Sequence, residues 1–292
     1  MSYQSVFRPN LFQNKTILVT GGGSGIGRCT AHELAALGAS VVLIGRNEDK
    51  LTKTVDEIQT DGGVASYFCC DIRQEALVKT TIESVIKQHT TIDGLVNNAG
   101  GQFPAPLSQI SQKGFETVAR TNLVGGFLMA REVFTQSMAK HGGAIVNIVA
   151  DMWKGMPIMG HSGAARAGMV NLTKTAAVEW AGAGVRVNAI APGWIASSGF
   201  DHYDSSFKTL IPKLTQAVPL QRFGTESEVS AAIVFLLSEA AAFINGETIK
   251  VDGAAPLSTV MWPMQPHQRS QPYNGFHRAT PPKVLADQDN TE

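Results

Sequence analysis

The stretch TILVTGGGSGIG, residues 16–27, joins a short apolar run to a glycine-rich turn and to the start of a helical pattern. Glycines in such a turn let the backbone bend tightly and approach a ligand closely, and the helix start then points its amides at a phosphate. By themselves, the glycines are also compatible with an ordinary tight turn. Because they lie between a predicted strand and a predicted helix, they indicate a dinucleotide-binding site. The predicted contacts in this turn are Gly21, Ser24, Gly25, Ile26 and Gly27.

Six more apolar runs, rich in Val and Ile, follow and alternate with helical patterns. The predicted strands are 16–22, 39–46, 65–72, 93–100, 142–150, 185–193 and 247–253. The predicted helices are 26–37, 47–61, 75–89, 113–139, 160–182 and 226–238. Nearly continuous hydrophobicity is typical of strands covered on both faces. The alternation predicts one α/β domain over residues 1–253, with a Rossmann-type, doubly wound, parallel seven-stranded sheet and helices on both faces.

Residues 254–292 differ from the rest, because they hold six of the 13 prolines. Proline at this density argues against regular structure and predicts a Pro-rich C-terminal arm. A disordered tail is one interpretation. Trp262, Tyr273 and Phe276 are apolar anchors that a solvated tail does not need, and they favour an extended arm lying on the domain or on a neighbouring subunit.

Composition excludes several classes of partner. The chain has 24 basic and 24 acidic residues and no basic run, so no nucleic-acid partner is expected. No apolar stretch reaches about 18 residues, so no membrane partner is expected. The cysteines, Cys29, Cys69 and Cys70, lack metal-ligand spacing and predict small buried side chains in a reducing compartment, with no metal site. A cytoplasmic location follows as the expectation.

The end of the second predicted strand indicates which dinucleotide binds. An NAD site usually has Asp or Glu there, whereas this chain has Arg46. A guanidinium can bind a 2′-phosphate with two hydrogen bonds, so NADP(H) is predicted over NAD(H), although a solvated arginine also fits. The other predicted cofactor contacts, at later strand ends, are Asp71, Ile72, Asn98, Gly100, Pro192, Gly193 and Ile195.

The motifs TGGGSGIG, NNAG at 97–100 and PG at 192–193, in this order and each at a strand end, resemble the short-chain dehydrogenase/reductase family over about residues 12–255. Within it, NNAGGQF, HSGAARAG and AVEWAGAGVRVNAIAPGWI look most like peroxisomal trans-2-enoyl-CoA reductases, with 2,4-dienoyl-CoA reductases next. The resemblance implies an NAD(P)-dependent oxidoreductase. It also implies a homotetramer built on helices 113–139 and 160–182.

One departure from the family pattern bears on the reaction. Most members carry a Ser after the fifth strand, a Tyr and a Lys four residues apart on the next helix, and an Asn on the preceding helix. Of these the sequence keeps only Asn122. The serine place falls on Val149 or Ala150, the tyrosine place on Ser162 and the lysine place on Arg166. Neither a serine hydroxyl nor a guanidinium is a useful acid for an alkoxide.

Reduction of an α,β-unsaturated thioester makes a different demand, because charge spreads onto the thioester oxygen as an enolate. Neutral hydrogen-bond donors stabilise that oxygen, and the proton goes to carbon. The sequence therefore predicts NADPH-dependent reduction of a 2-enoyl-CoA or dienoyl-CoA, an acyl-CoA thioester partner, and hydride transfer to the β-carbon. The predicted catalytic residues are Asn122, Ser162, Arg166 and Asp151. Arg166 would bind the nicotinamide ribose and lie near the enolate.

Alternatives stay open. Arg166 can instead pair with Asp151 and be catalytically silent, and Asp151 can be a solvated turn carboxylate. A second function is oxidation or reduction of a 3-oxoacyl or terpenoid compound, with Tyr203 or His161 as an unusual acid. Tyr203 lies in 193–224, the variable segment that usually closes over substrate in this fold. A third function is non-catalytic NADP(H) binding.

Overall fold

A computed structural model describes residues 2–202, 206–259, 261–262 and 264–286. Seven parallel strands form one sheet in the order β3-β2-β1-β4-β5-β6-β7. They are β1 Thr16–Thr20, β2 Ser40–Gly45, β3 Val64–Cys69, β4 Gly94–Asn97, β5 Gly143–Ile148, β6 Val185–Pro192 and β7 Thr248–Val251. The order reverses between β1 and β4, which places a crevice at their carboxyl ends. The predicted Rossmann-type sheet is confirmed.

Helices cover both faces of this sheet. They are α1 Gly25–Ala36, α2 Glu48–Thr60, α3 Glu75–His89, α4 Gln112–Ala119, α5 Gly126–Val133, α6 Ala139–His141, α7 Gly160–Glu179, α8 Ser206–Ala217, α9 Glu226–Leu237 and α10 Lys283–Ala286. None of the helices in the described part of the chain is both long and apolar enough to cross a membrane.

The core divides by the alternation of side chains along the strands. In β1, Ile17 and Val19 pack on the face covered by α1, α2 and α9, whereas Leu18 packs on the face covered by α3 and α5. All three are at most 1% exposed. Because successive residues of a strand point to opposite faces, a strand buried on both sides must be apolar at every position. This is the reason for the continuous apolar runs in the sequence.

The long helix predicted over 113–139 is wrong in detail. Wider π-helical turns at Arg120–Gly125 and Phe134–Met138 separate α4, α5 and α6. Such turns insert one residue into an α-helix, so they change which face the following side chains point to, and they are frequent at functional sites. The first of them contains Asn122.

The C-terminal arm lies along α1 and the start of α9. Phe276 is 2% exposed and stacks on Tyr3 at 5.9 Å between ring centroids. Arg278 makes two hydrogen bonds with Asp61, at 2.7 and 2.9 Å. Trp262, in contrast, is 77% exposed, so it is not an anchor on this chain. The arm therefore attaches through its later half.

Candidate active site

The glycine-rich turn between β1 and α1 requires glycine for two separate reasons. Gly21 and Gly25 have φ values of +67° and +56°, a region that side chains with a Cβ rarely adopt. A Cβ on Gly27 would overlap the Nδ2 of Asn98 and the carbonyl oxygen of Gly21. Ser24 precedes α1 without a side-chain cap, so the first amides of that helix face outward from the turn.

Asn98 ties the turn to the end of β4. Its Nδ2 donates to the carbonyl oxygen of Thr20 at 3.0 Å, and Thr20 Oγ1 accepts from the backbone amides of Asn98 and Ala99 at 3.0 and 2.9 Å. The carboxyl ends of β1 and β4 are thereby held together at the point where the strand order reverses. The predicted contacts in TGGGSGIG and NNAG lie at one crevice.

The ends of β2 and β3 flank this crevice. Arg46 directly follows β2 and is exposed. Asp71 is held by the guanidinium of Arg73 at 2.6 to 3.1 Å, and these hydrogen bonds lower the pKa of Asp71 to about 2. Ile72 is buried, and its side chain packs where Gly125 leaves room for it. The predicted contacts of Asp71 and Ile72 with the cofactor stay predictions.

On the other side of the crevice, the end of β6 passes close to the end of β7. The amide of Gly193, just after Pro192, donates to the Val251 carbonyl at 3.0 Å, and a Cβ on Gly193 would lie 2.8 Å from the Cα of Asp252. Ile195 is buried and pairs with Gly224 in an isolated bridge. The segment after β6 is thus fixed at both ends beside the crevice.

Asn122 projects from the π-helical turn and holds the loop after NNAG. Its Oδ1 accepts from the amide of Gly101, and its Nδ2 donates to the carbonyl of Gly101, both at 2.9 Å. The same Nδ2 lies 3.4 Å from Ser162 Oγ. The extra residue of the π turn aims Asn122 at this loop, so its side chain contacts both Gly101 and the candidate catalytic serine.

Ser162 is fully buried, and its hydroxyl donates to Gln102 Oε1 at 2.8 Å. Gln102 was not among the predicted site residues. Nothing in the spacing of the chain marks it, because the contact joins a loop to a helix 60 residues away. Asn122, Ser162 and Gln102 form a chain of neutral hydrogen-bonding groups, which we call the amide–hydroxyl relay.

Arg166 lies one turn beyond Ser162 on α7. Its Nη1 donates to the Ile148 carbonyl at the end of β5 at 2.5 Å, and its Nη2 lies against Gly100. The Nε is buried without a hydrogen-bond partner. Burial lowers the pKa of Arg166 to about 10, so it stays charged at neutral pH. The guanidinium thus binds a backbone carbonyl and not Asp151.

Asp151 follows β5 and lies beside the Pro192 segment, because its amide donates to the Pro192 carbonyl at 3.3 Å. Burial, and then the charge of Asp252, raise the pKa of the Asp151 carboxyl. Two carboxylates near one another in a partly buried place disfavour double ionisation. This arrangement differs from a freely solvated turn carboxylate.

The alternative acids lie elsewhere or outside the described residues. His161 is fully buried and packs edge-on against Phe103, with ring centroids 4.4 Å apart, and neither ring nitrogen has a hydrogen-bond partner among the described residues. Tyr203 lies outside the described residues. Among residues the structure describes, the tyrosines are Tyr3, Tyr67 and Tyr273, which contact Cys29, Glu48 and Gln4, away from the crevice.

The cysteines divide by burial. Cys29 and Cys70 are buried, whereas Cys69 is exposed, so the prediction of three buried cysteines is wrong for Cys69. Cys69 ends β3, the outermost strand of the sheet on that side. An edge strand has no neighbour on its outer side, and its last side chain is left uncovered.

Glu226 is a second group that the sequence analysis missed. It begins α9, and its Oε1 lies 3.8 Å from the position of a Cβ on Gly25. Burial raises the pKa of Glu226 to about 7, a shift that the charge of Arg28 partly opposes. A carboxyl beside the glycine-rich turn therefore changes its charge near neutral pH.

This shift predicts how stability depends on pH. Because the pKa of Glu226 in the folded protein lies above the ordinary glutamate value of 4.5, the folded state holds the proton more tightly than the unfolded chain does. Its contribution to stability is therefore lost as pH rises from about 4.5 to about 7. We expect Glu226→Gln to stabilise the protein at pH 8 by about 1–3 kcal/mol and to do less at pH 5. Thermal melts of the wild type and the variant at pH 8 and pH 5 measure this gain in stability, with Glu239→Gln, at an exposed glutamate, as the control. An equal gain at the two pH values would contradict the prediction.

The crevice fits a dinucleotide. A Cβ on Gly25 would make only ordinary contacts, with Glu226 Oε1 at 3.8 Å and Ser198 Oγ at 3.9 Å, whereas Gly21 and Gly27 are closely packed against Asn98. The partnerless Nε of Arg166 is a buried donor that a sugar hydroxyl could satisfy. The residues that would hold the group are the glycine-rich turn, Asn98 and Arg166.

Comparison with known proteins supports this geometry. The family model for enoyl-(acyl carrier protein) reductase matches residues 21–254. The probable 2,4-dienoyl-CoA reductase [(2E)-enoyl-CoA-producing] of Bacillus subtilis strain 168 is 36% identical over 244 residues, covering 82% of this chain and 96% of its own. The structure of a citronellol catabolism dehydrogenase from Pseudomonas aeruginosa PAO1 is 64% identical, covers 87% of this chain and 99% of its own, and superposes with a TM-score of 0.79.

A third relative bears on the cofactor. A solved structure from Beutenbergia cavernae, described as an NAD(P) dependent gluconate 5-dehydrogenase with NADP bound at low occupancy, is 32% identical. It covers 86% of this chain and 100% of its own, with a TM-score of 0.80. The chain is thus similar both to a protein named as a dienoyl-CoA reductase and to solved structures named as dehydrogenases. The chain belongs to the short-chain dehydrogenase/reductase family, whose members are oxidoreductases that bind NAD(P)(H).

Proposed function

We propose that this protein uses NADPH to reduce the 2,3 double bond of a 2-enoyl-CoA or 2,4-dienoyl-CoA thioester. The observation that carries the proposal is the makeup of the site: a relay of neutral donors and a fixed cation occupy the places of the family's tyrosine and lysine. When bound, NADPH supplies hydride. The protein's own residues must then stabilise charge on the thioester oxygen and provide a proton to carbon.

The relay and Arg166 suit the charge on the thioester oxygen. Neutral amide and hydroxyl groups are good partners for an oxygen whose charge is delocalised, and one such donor contributes about 3–4 kcal/mol to transition-state stabilisation. Arg166 adds a positive charge that does not titrate near neutrality, because its pKa is about 10. Its low exposure strengthens its attraction for a nearby oxyanion.

Asp151 is the group we assign to the proton. A carboxyl whose pKa is raised by burial and by Asp252 retains a proton at higher pH than a solvated one. Its position beside Pro192 places it at the edge of the crevice, where it can deliver that proton directly or through water. A proton that goes to carbon does not have to come from a tyrosine phenol, whereas the protonation of an alkoxide in carbonyl reduction uses one.

For the cofactor we propose NADPH and not NADH. Arg46 is exposed at the end of β2, where an NAD site usually has an acidic residue, and a guanidinium there can bind a 2′-phosphate. Because β1 and β2 run parallel, the glycine-rich turn after β1 lies at the same edge of the sheet as Arg46. Measuring the Kd of both cofactors for the wild type and for Arg46→Glu tests this assignment.

A second candidate function is oxidation of an acyclic terpenoid alcohol, favoured by the name of the 64% identical Pseudomonas relative. Citronellol is a branched alcohol without a thioester. Its oxidation needs a base for the hydroxyl proton. Among the candidate site residues that the structure describes, Asp151 is the one suited to that role, since the Ser162 proton is donated to Gln102 and Arg166 stays charged. A branched terpenoid acyl-CoA would reconcile the relative's name with this site.

The test is a substrate panel with purified protein. We expect NADPH oxidation with crotonyl-CoA, 2,4-hexadienoyl-CoA or a branched 2-enoyl-CoA, and no reduction of NADP⁺ with citronellol. Turnover of citronellol or of 3-oxoacyl substrates alone would overturn the proposal, and its loss in Tyr203→Phe would assign that tyrosine as the acid. NADPH binding without turnover of any substrate would indicate a non-catalytic cofactor-binding protein.

We also propose a homotetramer in the cytoplasm. Phe115, Val124 and Phe127, on and between α4 and α5, are each about 40% exposed, and Val178 on α7 is 79% exposed. Exposed apolar side chains on neighbouring helices are typical of subunit contacts. Sedimentation analysis of the purified protein measures the assembly directly.

A further inference from the structure

The carboxyl group of Glu226 lies against the glycine-rich turn, at the point where α1 begins. Its Oε1 is 3.8 Å from the position of a Cβ on Gly25, and Ser198 Oγ is 3.9 Å from the same position. Gly25 is the first residue of α1, and the side chain of Ser24 before it caps none of the first amides of this helix. Two polar side chains therefore flank the place where those amides would meet the pyrophosphate of a dinucleotide.

The positive charge that acts on Glu226 belongs to Arg28, one turn further along α1. Arg28 is already bound to another carboxylate, because its Nε and Nη2 lie 2.8 and 2.7 Å from Glu57 Oε2. The attraction of this guanidinium for Glu226 is weakened, since its charge is largely balanced by Glu57. Glu226 is half-buried, and none of the described residues donates a hydrogen bond to its carboxyl group.

Within the described part of the chain, the other titratable groups near Glu226 add no second positive charge. On α1, burial raises the pKa of the Cys29 thiol, which therefore stays neutral. On α9, both terminal nitrogens of Arg222 bind the carboxylate of Glu228, at 2.9 and 2.6 Å. Glu226 thus faces the turn with Arg28 as its counter-charge.

A pyrophosphate bound at this turn would bring negative charge next to the Glu226 carboxyl group. An anion disfavours the ionisation of a neighbouring carboxyl group, and more strongly where both are partly removed from water. The neutral form avoids this repulsion, and its O–H group can donate to a phosphate oxygen. Binding of the cofactor and protonation of Glu226 must therefore favour one another.

We propose that Glu226 is a cofactor-binding residue, whose neutral carboxyl group donates a hydrogen bond to the pyrophosphate of NADP(H), so that binding takes up a proton from solvent. The inference rests on the proposed use of NADPH and on the glycine-rich turn as the pyrophosphate site. The carboxylate gains the proton, and no covalent bond to the cofactor forms.

The pH range of this coupling follows from the burial of Glu226, which raises its pKa to about 7. At lower pH the protein without cofactor already holds the proton, and binding takes up none. At higher pH the carboxylate is charged and must be protonated when the pyrophosphate binds. The affinity for NADPH is therefore expected to fall as pH rises above neutrality.

Calorimetric titration of NADPH in two buffers of different ionisation enthalpy counts the protons taken up. At pH 7.5 we expect about half a proton per site for the wild type and close to none for Glu226→Gln, with a wild-type Kd that rises about 10-fold between pH 6.5 and pH 8.5. The 2′-phosphate of NADPH itself titrates near about pH 6, so the difference between the two proteins is the measure. Glu239→Gln, at an exposed glutamate, is the matched control and should behave as the wild type.

A second variant tests the hydrogen bond itself. Glu226→Ala removes both the charge and the donor, whereas the amide of Glu226→Gln still donates. At pH 6.5 we expect Glu226→Ala to bind NADPH about 10-fold more weakly than Glu226→Gln. Equal Kd values for these two variants would overturn the proposed hydrogen bond.

The outcomes separate this inference from the proposed function. If the wild type binds NADPH with the same proton uptake and the same pH dependence as Glu226→Gln, the role of Glu226 is overturned and the proposed function stands. A wild type that does not bind NADPH at any of these pH values would overturn both.

Discussion

Replacing Arg166 with methionine is expected to lower kcat/KM for a 2-enoyl-CoA by about 10²–10³-fold. The guanidinium is the one cation that the geometry places against Gly100 and the end of β5, among the described residues of the site. Its loss removes both a fixed charge near the thioester oxygen and the donors that would hold the nicotinamide ribose. We expect the Kd of NADPH to rise as well, because the partnerless Nε belongs to the cofactor side.

Two further variants separate these contributions. Arg166→Lys keeps a cation but loses the planar fork, so it should retain more activity than Arg166→Met. Arg8→Met removes a positive charge from an exposed arginine that is distant in sequence from Arg166, and it is the control for the loss of a charge. Steady-state kinetics, titration of NADPH and a thermal melt measure the three effects. Wild-type kinetics in Arg166→Met would show that the charge is catalytically silent.

Gly27→Ala is expected to weaken NADPH binding by at least about 10-fold and to lower the free energy of unfolding by about 1–3 kcal/mol. The added methyl group would overlap Asn98 Nδ2 and the Gly21 carbonyl oxygen. Both belong to the junction of β1 and β4, whose hydrogen bonds are 3.0 Å long and leave little room for adjustment. This steric overlap can be relieved only if α1 moves away from β4. The backbone amides at the start of α1 would then move as well, away from the place where they meet the cofactor.

Gly182→Ala is the matched control, because a Cβ there would meet no atom within 4 Å and its φ is not positive. Calorimetric titration of NADPH and thermal melts of both variants measure the effects. If Gly27→Ala bound NADPH as tightly as Gly182→Ala and the wild type, the glycine-rich turn would not be the pyrophosphate site.

Local sequence patterns were sufficient to predict the sheet. Strand residues buried on both faces must be apolar throughout, so β1 and β2 are visible as continuous runs. The glycine-rich turn is visible for a similar reason, since close approach by Asn98 excludes any side chain at position 27. The strands can be recognised from neighbouring residues in the sequence. The turn can be recognised because only glycine fits where the space for a side chain is absent.

Features that depend on distant contacts were not predictable. The π-helical turn around Asn122 leaves the helical periodicity nearly unchanged, yet it redirects that side chain toward Gly101. Gln102 is linked to Ser162 by a hydrogen bond across 60 residues of chain, and Glu226 lies near the glycine-rich turn because α9 packs across α1. Polar residues in a loop or at a helix start are ordinary in a sequence, so tertiary packing alone reveals these roles.

The arm also brings the two ends of the described chain together. Gln4 donates its amide to the Gly275 carbonyl at 2.9 Å, and Tyr273 Oη donates to the Gln4 carbonyl at 2.8 Å. Residues 4 and 275 are therefore neighbours in space, and two such neighbouring segments are the usual condition for tolerating circular permutation. A permuted chain in which residue 275 is linked to residue 4, and new ends are opened in an exposed surface turn, would preserve the place of every strand around the crevice.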